Sequence, residues 1–135
     1  MMRSRMNIIE ESIKDPVATQ ERVLFENIKK AKHTIYGKEF GFSEFNNIHQ
    51  YQNQVPPVHY EDFQPYIELA RKGEKDVTWN GRIKWFAKSS GTTNAKSKFI
   101  PISQESLEDC HYAAGKTMFA LYLNANPATD IFLHK

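Results

Sequence analysis

Apolar positions along this chain alternate between two periods. Val17, Leu24, Ile28, Ala31 and Ile35 recur at helical spacing, which predicts a helix with one buried face. Asp15-Pro16 opens it with an N-cap acid and a proline in the first turn. Gly37 stands where a left-handed C-cap belongs. Glu21, Arg22, Lys29, Lys30 and Lys32 form the polar side, a solvated face whose basic end complements the helix dipole. Residues 37–58 read as loop, with Gln, Asn and a Pro56-Pro57 pair that resists helix and central strand alike. A shorter helix is expected over 60–72, ended by Gly73, with Pro65 limiting or breaking its first turn. Thr78-Trp79-Asn80-Gly81 reads as a turn, and 82–88 and 98–102 as strands. A long helix begins near Ser103 with an apolar stripe of Leu107, His111, Ala114, Met118 and Leu121. Residues 124–127 end it, and Ile131-Phe132-Leu133 starts another strand. Residues 1–14 read as a flexible lead-in.

This order predicts an α/β class in which helices pack on a partial sheet. Only about nine residues separate the two central strands, so they are expected to form a β-hairpin rather than a parallel pair. The last helix then serves as a crossover to the strand at 131–133.

Composition narrows the function classes. At 135 residues the chain is one domain's worth. Its 40% hydrophobic and 25% charged residues are ordinary for a globular protein. A net charge of +2 is too mild to argue for nucleic acid or an anionic membrane. No apolar run approaches the ~20 residues of a membrane span, and MMRSRMNIIEES lacks the apolar core of a secretory signal. The single Cys110 excludes an internal disulfide and suits a reducing, cytoplasmic setting. Histidines 33, 49, 59, 111 and 134 show no metal-ligand spacing, so no metal site is expected. Glu61 and Asp62 suit the dipole of a helix start without any acid–base task. No catalytic residue can be named from spacing alone.

The chemistry concentrates in FAKSSGTTNAKSKFIP, residues 86–101. Small hydroxyl residues around a glycine leave successive backbone N–H groups uncovered, a concavity that suits an anion. Hydroxyls add donors at short reach, and lysine adds a compact positive charge. The same residue types build ordinary turns, so composition alone leaves both readings open. The common P-loop needs G-x-x-x-x-G-K followed by Ser or Thr, and Gly91 has no second glycine before Lys96-Ser97. The dinucleotide fingerprint G-x-G-x-x-G is absent.

SSGTTNAKSK resembles the nucleotide-phosphate signature of the adenylate-forming superfamily of acyl-CoA synthetases and luciferases. Within it the stretch is most similar to the auxin-responsive promoter family, the acyl acid amido synthetases. Tyr36-Gly37-Lys38 with Gly41-Phe42 resembles an early loop of that family. Pro56-Pro57-Val58-His59-Tyr60-Glu61-Asp62-Phe63 with Pro65-Tyr66-Ile67 resembles its entry into a helix, and Trp85-Phe86 its apolar approach to the loop. Asn94 replaces the superfamily glycine, and the expected proline is missing. Lys96 and Lys98 compete as the phosphate cation; Lys98, directly before Phe99-Ile100, fits the spacing better.

The resemblance implies ATP with Mg²⁺, for which no ligand is identified. Ser89, Ser90, Thr92, Thr93 and Lys98 would hold the β- and γ-phosphates, and Gly91 would admit the backbone. It implies a ligase that activates a carboxylic acid as its acyl-adenylate and transfers it to an amine such as an amino acid. Such enzymes are several times longer. Residues 1–135 are therefore expected to be a partial N-terminal adenylation domain, with phosphate loop 89–98, partnered by the remainder of its own domain and inactive alone. Two other classes compete with this reading. One is a non-catalytic interaction domain. The other is a cold-shock-like single-strand binder, suggested by Gly81-Arg82-Ile83-Lys84-Trp85-Phe86. The long helix and the missing aromatic strand speak against nucleic acid.

Overall fold

The computed structural model describes residues 2–89 and 97–131. Contacts divide the chain into two compact units, Gln20–Gln104 and the residues up to Thr19 with those from Glu105 onward.

The larger unit combines helices with a two-stranded antiparallel sheet. Helix α2 (Pro16–Ala31) leads into it and starts as expected, with the Ala18 N–H donating to Asp15 Oδ1 at 3.0 Å. Its apolar face is buried only near the end, at Ile28 and Ala31, while Val17 is 74% exposed. The helix stops well before Gly37 because Thr34 intervenes. The fully buried Thr34 hydroxyl donates to the Ala31 carbonyl at 2.7 Å and accepts from the Gly37 N–H at 2.9 Å. One side chain thus closes α2 and caps α3 (Ile35–Glu39).

Gly37 is therefore not a left-handed C-cap. It lies inside α3, where a Cβ would collide with the Ala31 carbonyl. The structure also corrects the loop expected at 37–58, which contains the end of α3 and the whole of α4 (Ile48–Gln54). Asn47 caps α4 by accepting from the Gln50 N–H at 3.0 Å. Helices this short show no usable periodicity and depend on tertiary contacts. Aromatic packing supplies them here, with the Tyr36 ring against Phe40, Phe42, Phe63 and Tyr66.

Helix α5 (Tyr60–Arg71) forms close to its predicted span. The Asp62 carboxylate accepts from the His59 N–H at 3.1 Å, tying the first turn. Pro65 sits within the helix without breaking it. Its missing N–H deprives only the Glu61 carbonyl, near the start of the helix, where the loss is tolerated. Gly73, at φ +95°, ends the segment in a conformation that glycine adopts freely. The 75–82 turn is fastened by the Gly81 N–H donating to Asp76 Oδ1 at 2.6 Å, with an isolated bridge between Lys75 and Arg82. Ala70, Val77 and Ile83 make the buried cluster under α5, lined by Tyr66, Leu69, Trp79 and Phe86.

Strands β1 (Trp85–Lys88) and β2 (Phe99–Ile102) pair antiparallel, with Trp85 opposite Ile102 and Lys88 opposite Phe99. The hairpin expected from their short separation is present. A two-stranded sheet among helices differs from a cold-shock barrel.

In the other unit, residues 106–112 wind as a π-helix (Ser106–Tyr112) that continues into α6 (Ala113–Ala125). The lead-in at 1–14, read as flexible, is helix α1 (Met2–Lys14) and packs on α6. Arg5 Nε donates to Thr117 Oγ1 at 2.9 Å, and its terminal nitrogen donates to the Ala113 carbonyl at 3.3 Å. The buried positions of α6 are Ala113 and Ala120. The predicted stripe is thus corrected: His111, Ala114, Met118 and Leu121 are exposed, and Leu107 is half-buried. The wider π turns carry more residues per revolution and so rotate the faces of α6 away from the α-helical register. Ile131 lies in a turn, and Phe132-Leu133 falls outside the described residues. Among the described residues no helix is long and apolar enough to cross a membrane.

Candidate functional site

The hairpin sets the roots of the 89–98 segment. One step beyond the Lys88–Phe99 pair, the Ser89 N–H donates to the Lys98 carbonyl at 2.9 Å. The Lys98 N–H returns a bond to Ser89 Oγ at 3.1 Å. Two of the six predicted contact residues are therefore brought together as a doubly bonded pair at the end of the hairpin. Ser90, Gly91, Thr92 and Thr93, with Asn94 and Lys96, lie outside the described residues.

Helix α5 braces this pair from the side. The Phe99 N–H donates to the Tyr60 hydroxyl at 2.8 Å, and that hydroxyl donates to the Phe99 carbonyl at 3.3 Å. One phenol thus satisfies both backbone groups of the residue after Lys98. The Lys98 ammonium lies 3.3 Å from Glu61 Oε1 and 4.8 Å from the centre of the Tyr60 ring. The Glu61 carboxyl is held below the usual carboxylate range, first by its own backbone N–H at the helix start and then by Lys98. Farther along α5, Arg71 pairs with Glu68 at 2.8 Å and lies 4.0 Å over the Phe99 ring.

These side chains line an open cleft between α5 and β2, formed by Tyr60, Glu61, Gln64, Glu68, Arg71, Ser97, Lys98 and Phe99. The cleft offers hydroxyl donors and two cations, but its acids already pair with those cations. Among the described residues no group of three or more His, Cys, Asp or Glu could hold a metal ion. The contacts that Tyr60 and Arg71 make with Phe99 carry no signal in the linear sequence, because Phe99 lies 39 positions beyond Tyr60 and well beyond Arg71. Glu61 was legible as a helix-start acid and as part of the resembled helix entry, not as the partner of Lys98.

Residues 5–132 match the model of the GH3 family N-terminal domain. The chain is 31% identical over 104 residues to indole-3-acetic acid-amido synthetase GH3.2 of Arabidopsis thaliana, covering 76% of this chain and 19% of that protein. It is 31% identical over 100 residues to jasmonoyl–L-amino acid synthetase JAR6 of Nicotiana attenuata, covering 73% of this chain and 17% of that protein. The solved structure of AtGH3.15 acyl acid amido synthetase in complex with 2,4-DB superposes with a TM-score of 0.74. That likeness covers 92% of this chain and 22% of the other at 24% identity, and it shows the fold. The chain spans about a fifth of the length of the curated relatives it matches. With the family model matched over nearly its whole length, this chain belongs to the GH3 family, through that family's N-terminal domain.

Proposed function

We propose that this chain contributes the phosphate-binding loop of a cytoplasmic, ATP-dependent acyl acid amido synthetase. In that reaction a carboxylate oxygen attacks the α-phosphorus of ATP and pyrophosphate leaves. An amine nitrogen, such as that of an amino acid, then attacks the acyl carbon and AMP leaves. The observation that supports the reading is the pair of hydrogen bonds between Ser89 and Lys98, which joins the two ends of segment 89–98 on a braced hairpin.

The donor set fits a polyphosphate. Ser89 Oγ accepts from the Lys98 N–H and keeps its own proton to donate. The Lys98 side chain is 45% exposed and carries a compact charge on a flexible stem. Ser90, Thr92 and Thr93 would add hydroxyl donors, and Gly91 would let the backbone approach. Fixed donors of this kind act by positioning and by stabilising charge as the phosphoanhydride breaks. Mg²⁺ would be held chiefly by the phosphates and water, as is usual for this ion.

Hydrogen–deuterium exchange of this chain with and without ATP tests the proposal. ATP should slow exchange in peptides covering 89–98 and leave α6 unchanged. Trp85 is 44% exposed, which favours a second reading, a non-catalytic interaction domain. Under that reading ATP leaves the loop unprotected, and only a protein partner slows exchange.

A further inference from the structure

Lys98 is held firmly at its backbone and lightly at its ammonium. Ser89 fixes its N–H and carbonyl, and Tyr60 pins both backbone groups of Phe99. The ammonium instead rests on α5, 3.3 Å from Glu61 Oε1. The two side chains are 45% and 69% exposed, so the pair is solvated and readily exchanged. A polyphosphate presents several negative charges and strong acceptors to the same ammonium. Glu61 also sits in the first turn of α5, where a carboxylate is stable without Lys98. It can therefore release the lysine without being left unsupported.

We propose, resting on the phosphate-loop reading above, that Glu61 is a resident rival anion for Lys98 and that Tyr60 is a positioning residue. Glu61 holds the ammonium against α5 until a polyphosphate displaces it. Tyr60 keeps the backbone of β2 in place through that exchange. The two roles act on affinity with opposite signs. Removing the Glu61 charge frees Lys98 and tightens polyphosphate binding. Removing the Tyr60 hydroxyl loosens the root of Lys98 and weakens it. A side chain that merely supports the fold gives no tightening when it is removed.

Equilibrium dialysis of this chain against radiolabelled ATP, with inorganic tripolyphosphate as competitor, tests the proposal. The proteins compared are the parent, Glu61→Gln, Tyr60→Phe, Lys98→Ala and the Glu61→Gln/Lys98→Ala double variant, each with its melting temperature. Glu61→Gln should tighten binding about two- to fivefold at low salt, the range of an exposed ion pair, and less at high salt. Its melting temperature should hold or fall slightly, opposite to its affinity. Tyr60→Phe, which keeps the ring under Lys98, should weaken binding about two- to tenfold, the worth of a hydrogen bond. In the double variant the Glu61→Gln gain should vanish. If Lys98→Ala weakens binding while Glu61→Gln does not tighten it, the rival role is wrong and the phosphate-loop reading stands. If Tyr60→Phe binds as the parent does, the positioning role is wrong. If Lys98→Ala binds ATP like the parent, Lys98 is not the phosphate cation and this inference is wrong, while Lys96 takes that role in the phosphate loop. If neither parent nor Glu61→Gln binds ATP or tripolyphosphate, the phosphate-loop reading fails and takes this inference with it. Should Tyr60→Phe unfold, the sign and salt dependence of Glu61→Gln still decide the rival role.

Discussion

Thr34 shows how much one hydroxyl can hold. It is fully buried, closes α2 through the Ala31 carbonyl and caps α3 through the Gly37 N–H. Thr34→Ala should lower stability by about 1–2 kcal/mol, the cost of losing a cap, and Thr34→Ser should recover most of it. Urea midpoints at unchanged slope check both. Gly37→Ala should also destabilise, by about 1–3 kcal/mol, because its Cβ meets the Ala31 carbonyl. Tyr66 carries a pH signature. Its hydroxyl donates to Glu39 Oε2 at 2.7 Å, and this bond, aided by burial, pushes its pKa up to about 12. A raised pKa means that the bond supports the fold fully below the ordinary phenol value of about 10. The support is lost as pH rises through the folded value. Phenolate absorbance should therefore show a late step that Tyr66→Phe removes. The Asp15 cap and the Gly73 stop were legible because their chemistry is local. Gly37 was misread because its constraint comes from the Ala31 carbonyl of the preceding helix.

At the scale of elements, the hairpin and α5 follow the sequence pattern closely, and α6 does not. Its residues are apolar nearly all round, so spacing alone could not choose a face. The structure buries Ala113 and Ala120 and leaves Met118 60% and Leu121 47% exposed. The small buried residues let α1 approach closely. Ala120→Leu should therefore cost about 1–3 kcal/mol by overpacking. Met118→Glu and Leu121→Glu should change stability by less than about 0.5 kcal/mol, as exposed sites do. Thermal melts of the three variants separate this face from the stripe read off the sequence, which predicts the reverse order. Helix α3 escaped the pattern because Tyr36 packs on Phe63 and Tyr66, far along the chain, and α4 because it is too short for a period and rests on Tyr51 against the nearby Phe42 and Phe45.

For the whole molecule, the family is shown by a match over residues 5–132, and the fold by the likeness to an acyl acid amido synthetase structure. Of the candidate site, the sequence pointed to Ser89 and Lys98, which the hairpin pairs at its end, and their role toward phosphate is the proposal above. Sequence reasoning could not find the α5 brace, because Tyr60 meets Phe99 only once the chain has folded. Under the proposed function the 89–98 loop acts on phosphate, whereas an ordinary turn would only support the fold. The most direct test joins this chain to the remaining residues of a GH3 amido synthetase. ATP–pyrophosphate exchange is then measured with a carboxylic acid beside the melting temperature without nucleotide. Thr92→Ala and Thr93→Ala should each slow exchange about 10- to 100-fold, the worth of a hydrogen bond to a charged group. Lys98→Ala should cost at least as much, Lys96→Ala less, and none should shift the melting temperature much. Rates that stay intact while melting temperatures fall would make the loop a structural turn and contradict the account.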